Sequence, residues 1–448
     1  MALAVPKGLI PMAHDLGVES FSQVKPQMIQ LKPQVDGVYR PGGMNTVDFK
    51  VPSFSNSWID TSRSFISFNI AYETTTSVTD KSSACRLNNG CPVFKRLTLK
   101  SSAGLVLDEI DQYDIFQQLQ IATMPVSKAV SPLEGRDIDS VFKTGQMNDE
   151  ACLAQNFSTT GFTVRHYIHA GLLSRHTKSW IPVGLMGGSG YALDLALQLN
   201  DNTFVISQEG SVADPVYRLT NVIYNMAVMT LDANLCRKFN QIACEGREVK
   251  LAFNTIHAHT NVLGSNKNTF KIHESVTSLN KISNVFLRAG GMSGLSKATA
   301  YDLIGGVEST GDRRITRYNG RLGGVHVYNT AVEEEDDSVG NTVTMTHIKN
   351  SLGYQDEQIV GEYRDETTHK PSARLYSHVF DFRYSGEKFS NGVSSSTPFE
   401  MFLDCPTAYN TGDMVCHSFA DVSYNLVVSG GGQVRYEEVR PGSQSVYS

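Results

Sequence analysis

The sequence predicts an all-β protein built from two consecutive β-sandwiches, with short helices at the junctions and an N-terminal arm. Three observations carry this prediction. Residues 190–200 read Gly-Tyr-Ala-Leu-Asp-Leu-Ala-Leu-Gln-Leu-Asn, with Tyr191, Leu193, Leu195, Leu197 and Leu199 on one parity and Ala192, Asp194, Ala196 and Gln198 on the other. Successive strand side chains point to opposite faces, so this is a strand with one buried face. The same ending then occurs twice. Phe399, Met401 and Leu403 alternate likewise, and each of the two strands precedes another: Val222, Tyr224, Met226 and Val228 in one case, Val422, Tyr424, Leu426 and Val428 in the other. Finally, Gly is frequent at 37 and Pro modest at 15, as expected where turns join many short strands. A chain of 448 residues that is 40% apolar and 19% charged can bury two cores of ordinary size.

The elements follow in order. Residues 1–45 read as an arm, punctuated by prolines at 6, 11, 26, 33 and 41 and thin in apolar residues; such a segment is held by other surfaces. The first sandwich occupies 46–235. It opens on Val47, Phe49 and Val51, turns through Pro52, Ser53, Asn56 and Asp60, and continues with Ile66, Phe68 and Ile70. Val93, Leu97 and Leu99 mark the next strand. Ile110, Tyr113, Ile115, Phe116 and Leu119 then recur mostly at spacings of three and four, predicting a helix over 108–123 with Asp108 and Glu109 at its electropositive start. Strands are expected at 161–169, 191–199, 203–207 and 217–230, and a junction helix at 232–245.

The second sandwich, 236–436, repeats the plan. Val249, Leu251 and Phe253 alternate, 282–287 forms a strand, and 313–328 is strand-like but broken by Gly320, Gly323 and Gly324. A helix is expected at 341–352, then strands at Phe380–Phe382–Tyr384, at 399–403 and 422–428, and through Val434 and Tyr436. Residues 437–448 form a C-terminal tail.

The chemistry-bearing groups are sparse. His257 and His259 share one face of a strand, as zinc ligands can, but a site needs a third ligand and no motif supplies one; a loop or edge pair is the reading. Gly187-Gly188-Ser189-Gly190 leads into a strand, whereas a phosphate-binding loop leads into a helix, so it reads as a turn. Asp108, Glu109 and Asp111, and Asp137 with Asp139, are candidate carboxylate pairs that capping and solvation explain more simply. The acidic run 333–337 lacks the spacing and glycine of a calcium loop. Lys95-Arg96 and Arg313-Arg314 are doublets, and with a net charge of −6 the chain has no basic face for nucleic acid. The seven cysteines, an odd and scattered set, read as reduced buried thiols more than as a disulfide framework. Pro6, Lys7, Pro11, His14 and Asp15 break any apolar leader at the start, and no stretch approaches the roughly 20 apolar residues of a membrane helix. The expectation is no catalytic residue, no cofactor, no metal and no enzymatic activity.

Five stretches taken in order resemble a known family: Phe-Lys-Val-Pro (49–52) with Ile-Asp-Thr-Ser-Arg-Ser-Phe-Ile-Ser-Phe (59–68); Pro-Val-Phe-Lys-Arg-Leu-Thr-Leu (92–99); Ala-Gly-Leu-Leu (170–173) through Trp-Ile-Pro (180–182) into 191–199; Leu-Thr-Asn-Val-Ile-Tyr (219–224); and Phe-Ala-Asp-Val-Ser-Tyr-Asn-Leu-Val-Val-Ser-Gly-Gly-Gly-Gln-Val (419–434). The order and spacing resemble the double jelly-roll major capsid proteins of tailless icosahedral DNA viruses, the polinton-like virus and virophage type. That resemblance implies two consecutive eight-stranded jelly-roll sandwiches. It also implies a structural role as a homotrimer of pseudo-hexagonal outline, packed against neighbouring capsomers and against penton and minor or cement proteins, in a virion shell that encloses DNA without sequence-specific binding to it. Assembly would take place in the host cytoplasm or nucleus. The rolls would stand upright on the shell, with 260–280, 290–312 and 385–397 as outer loops or subunit contacts. The alternative is a tandem β-sandwich carbohydrate-binding or carbohydrate-active protein; such proteins use aromatic platforms, and this chain has only two tryptophans, Trp58 and Trp180, both placed in turns leading into strands.

Overall fold

The computed structural model describes residues 25–54, 56–73, 85–87, 91–125, 161–177, 180–187, 190–208, 216–231, 236–237, 241, 248–263, 269–274, 276–288, 317–333, 342–352, 377–382, 393–395, 398–404, 414–429 and 432–438. In chain order the first part holds β1 (Lys25–Leu31), β2 (Thr46–Pro52), β3 (Ser57–Glu73), β4 (Cys85–Leu87), β5 (Phe94–Ser101), β6 (Val106–Ile110), helix α1 (Tyr113–Ala122), β7 (Phe162–His166), β8 (Tyr191–Leu199), the short helix α2 (Asn202–Val205), β9 (Ile206–Gln208) and β10 (Val216–Thr230). The second part holds β11 (Val249–Leu263), β12 (Thr269–Ile272), β13 (Val276–Arg288), β14 (Arg317–Leu322), β15 (Val325–His326), β16 (Val332–Glu333), helix α3 (Thr342–Leu352), β17 (Ser377–Asp381), β18 (Val393–Ser395), β19 (Phe399–Asp404), β20 (Met414–Val428) and β21 (Val434–Glu438).

Two four-stranded sheets, β1-β10-β3-β7 and β2-β8-β5-β6, make the first sandwich. The second stacks β11-β20-β13-β17 on β12-β19-β14-β15, with β18, β21 and β16 added at the side. The pairing follows one rule in both. The outermost strands of the sequence pair with each other (β1 with β10, β11 with β20), the next pair inside them (β2 with β8, β12 with β19), then β3 with β7 and β13 with β17, and innermost β5 with β6 and β14 with β15. All are antiparallel, so each sandwich is one long hairpin wound around a core.

Burial follows the strand period. In β8, Leu193, Leu195, Leu197 and Leu199 are buried and Asp194, Ala196 and Gln198 are half-buried, as their parity demands. Phe49, Phe68, Phe94 and Tyr224 fill the first core, with the Phe68 and Phe94 rings edge to face at 5.7 Å. Phe380, Phe399, Met401 and Tyr318 fill the second, Phe380 meeting Phe399 at 5.0 Å. Aromatic pairs at such spacing add about 0.5–1.5 kcal/mol beyond the area they bury. The β3–β10 ladder shifts register between Thr220 and Ile223, and there Asn221 takes φ 50°, a left-handed conformation that asparagine tolerates and that marks a bulge.

Several sequence expectations need correction. Residues 25–31, assigned to the arm, form β1, an edge strand that buries little: Ile29 and Leu31 are half-buried against the core and its other side chains are exposed, so backbone pairing with β10 holds it. The helix expected over 108–123 is shorter. Residues 106–110 pair with β5 as β6, Gln112 at φ 56° breaks the chain direction, and α1 begins at Tyr113. Residues 202–205 turn as α2 before β9, where a strand from 203 was expected. Residues 260–280, expected as an outer loop, include the end of β11, all of β12 and the start of β13. The expected strand 191–199 and helix 341–352 correspond to β8 and α3. Of the helix expected at 232–245, Cys236, Arg237 and Gln241 are helical and the other positions lie outside the described residues, as do 290–312 and most of 385–397.

Candidate functional site

A set of polar residues in unusual environments lies where the two sandwiches meet. Helix α1 and strand β6 belong to the first sandwich, and β11 and β20 to the second. Phe116 on α1 and Phe419 on β20 are both buried, with ring centroids 5.4 Å apart. Leu251, Phe253, Val285, Ile348 and Val379 of the second half join the same apolar cluster as the core of the first. The seam is therefore a continuation of a core, and separating the halves would expose apolar surface at about 25 cal/mol per Å2.

One carboxylate crosses this apolar seam. Asp108 on β6 is buried, its Oδ2 accepting the Leu172 backbone N–H at 2.9 Å and its Oδ1 accepting the Thr255 hydroxyl of β11. Burial pushes the Asp108 carboxyl up to about 6, against the opposing pull of the Thr255 hydroxyl, the Leu172 amide and the His257 charge. The loop that presents Leu172 is itself fixed. The Tyr113 hydroxyl lies 3.2 Å from His166 Nε2 and accepts the His169 backbone N–H at 3.1 Å, and the Arg175 amide donates to the Ile168 carbonyl at 2.8 Å. Gly171 has φ 76°, and a Cβ there would stand 1.8 Å from Asp108 Oδ2, so only glycine lets this loop approach the carboxylate.

Two residues along β11 on the same face as Thr255 stands His257, and two further His259. Both reach Glu274, just beyond β12: His257 Nδ1 at 3.0 Å from Oε2, His259 Nε2 on Oε1. Burial would raise Glu274, but the hydrogen bonds and charges of the two imidazoles prevail and bring it down to about 2. Burial would lower His257, yet the Glu274 hydrogen bond and charge, with the Asp108 charge, leave it above its ordinary value. The pair singled out from sequence thus lies on an edge strand, as read, and its partner is a carboxylate no motif announced. Glu274 engages each imidazole by hydrogen bonding, and among the described residues no set of three His, Cys, Asp or Glu is placed to hold a metal ion.

The remaining candidates separate. Asp108 does not cap a helix, since it lies in β6, while Glu109 and Asp111 both bind Arg96, Asp111 at 2.9 Å from Nε. Asp137, Asp139 and 334–337 lie outside the described residues. Gly190, at φ 91°, leads directly into β8 and not into a helix, while Gly188 and Ser189 lie outside the described residues. Trp58 is 2% exposed and Trp180 5%, so neither offers a face to a sugar ring. Cys91, Cys236 and Cys416 are buried thiols in no disulfide, and burial raises the Cys416 thiol to about 12, far from a reactive thiolate.

No protein-family model matches the sequence, and no curated protein matches it. Solved structures do. The Faustovirus major capsid protein superposes with a TM-score of 0.55 at 10% identity, covering 92% of this chain and 92% of that one. The quasi-atomic model of the PBCV-1 virus capsid gives 0.54 at 10% identity over 94% and 98%. The mavirus major capsid protein gives 0.50 at 10% identity over 92% and 90%. The likeness runs through both sandwiches and agrees with the nested strand pairing. The fold is a double jelly roll. In this double jelly roll the seam just described is the junction of the two rolls, and Asp108 is a polar group of the first roll bonded directly to the second.

Proposed function

We propose that this protein is a major capsid protein, which self-assembles as pseudo-hexagonal trimers into an icosahedral shell enclosing a DNA genome. The observation that carries the reading is the whole-chain double jelly roll, matched over 92–94% of the sequence by capsid proteins of Faustovirus, PBCV-1 and mavirus. Fold alone does not fix function, so the physical argument matters too. Two rolls joined by an apolar seam behave as one rigid block with two similar walls, and three such blocks about a threefold axis approximate a hexagon, which tiles a shell. The role is structural and not catalytic. The first roll in this reading starts at β1 and ends with β10, and the second runs from β11 to β21. Penton and minor capsid proteins are the further partners, and the virion is the location.

Native mass spectrometry and negative-stain electron microscopy of the purified chain test the reading. The expected species has three times the 49.2 kDa chain mass and a hexagonal outline in projection. A strictly monomeric protein at the highest attainable concentration would overturn it.

A further inference from the structure

The polar row at the seam is built in an unusual way. Asp108, buried at the contact between the rolls, faces Thr255 and the charge of His257 from β11. His257 in turn is held by Glu274, which also holds His259. The other titratable groups facing this row are Tyr424 on β20, whose ring lies 6.0 Å from His257, and Tyr436 on β21, which feels the charge of Asp108. Burial raises both phenols, Tyr424 to about 12, so they stay protonated over the range considered. Nothing in the proposed capsid role requires such a row, because apolar packing alone would join the rolls.

We infer that Asp108, Thr255, His257 and Glu274 form a proton-dependent latch between the two rolls, fastened while Asp108 or His257 carries a proton and slackened when both have lost it. The sign follows from each group. A buried acid whose value is raised favours the closed seam fully below its ordinary value and loses that contribution as pH rises through about 6. His257, raised by Glu274, likewise favours the closed seam below its ordinary value and ceases to do so as pH rises through its raised one. Glu274, at about 2, keeps its charge throughout the window. Mildly acidic solution therefore leaves Asp108 neutral and His257 cationic. Alkaline solution leaves a buried carboxylate facing a neutral imidazole. From Asp108 alone the opening equilibrium rises about tenfold between pH 5 and pH 8.

Hydrogen–deuterium exchange of the full chain, read peptide by peptide and corrected for the chemical exchange rate, tests this. Peptides spanning 249–259 and 167–177 should exchange about tenfold faster at pH 8 than at pH 5, while β8 shows no such dependence. Asp108→Asn should flatten the seam profile, and Glu274→Gln should move its midpoint to lower pH. Histidine C2–H exchange should place the titration of His257 above that of a free imidazole in the wild type and lower in Glu274→Gln. Seam peptides that track β8 at every pH in the wild type would overturn the inference even if neither variant folds. So would an Asp108→Asn protein that keeps the wild-type dependence. The readout is internal to the chain, so it stands or falls independently of whether the protein builds a shell.

Discussion

Replacing Gly171 by alanine should damage the junction of the rolls out of proportion to the single methyl group added. The cost has two parts. At φ 76° an L-residue sits in the left-handed region, which costs roughly 1–2 kcal/mol. The new Cβ would then stand 1.8 Å from Asp108 Oδ2 and 2.8 Å from its Cγ, so the carboxylate has to leave. It would lose the Leu172 amide and the Thr255 hydroxyl, each worth about 1.5–3 kcal/mol for a charged acceptor. The sum is about 4 kcal/mol or more. Gly104 supplies the control: its φ is 83°, but a Cβ there meets nothing within 4 Å, so Gly104→Ala should cost only the backbone share of roughly 1–2 kcal/mol. Urea unfolding followed by circular dichroism measures both variants under one set of conditions. Equal losses for Gly171→Ala and Gly104→Ala would refute the reasoning, because they would show that the loop moves away from Asp108 without consequence.

Other perturbations follow from the same structure. Phe419→Ala removes the ring that meets Phe116 across the seam and should cost about 3–5 kcal/mol in the same urea assay; a loss under 1 kcal/mol would mean the rolls are held elsewhere. Gly320→Ala places a Cβ 2.7 Å from both Phe380 and Phe399 and should cost about 1–3 kcal/mol through overpacking. Adding Phe399→Leu should recover part of that loss, and failure to do so would place the strain in the backbone. Asp114 is buried, accepts a hydrogen bond from Asn200 Nδ2 at 2.9 Å, and is raised by burial to about 6. Its contribution to stability is present below its ordinary value and fades as pH rises through about 6, so Asp114→Asn should gain roughly 2–3 kcal/mol relative to wild type at pH 8 and far less at pH 4. Thermal unfolding across pH checks this; a pH-independent difference would contradict it.

What could be read from sequence was what local periodicity encodes. Strand β8 was legible because Leu193, Leu195, Leu197 and Leu199 on one parity are buried while Asp194, Ala196 and Gln198 on the other are half-buried, and α1 because Ile115, Phe116 and Leu119 keep helical spacing. Strand β1 was not, because Lys-Pro-Gln-Met-Ile-Gln-Leu at a sheet edge has little buried face to reveal and is fixed by backbone hydrogen bonds that any residue except proline can make. At the far end of β11, whose ladder partner is β20, the shared face of His257 and His259 could be read from sequence, but their partner Glu274 could not. The resemblance of ordered stretches pointed to the double jelly roll before any contact was visible. The seam cluster needed coordinates. Asp108 and Thr255 lie 147 residues apart, and no local pattern distinguishes a buried aspartate bound to a distant hydroxyl from a solvated one near a helix.

The nested pairing has a consequence for synthesis. Lys25 of β1 stands opposite Thr230 of β10, and Ser57 at the start of β3 also stands opposite Thr230. Neither strand has that neighbour until the ribosome has made β10. At about 5–20 residues per second the nascent chain waits on the order of ten to forty seconds with those ladders open. Open ladders recruit other polypeptides, so yield in cell-free translation should depend on chaperone supply during that interval, and β10 is the segment whose emergence ends it.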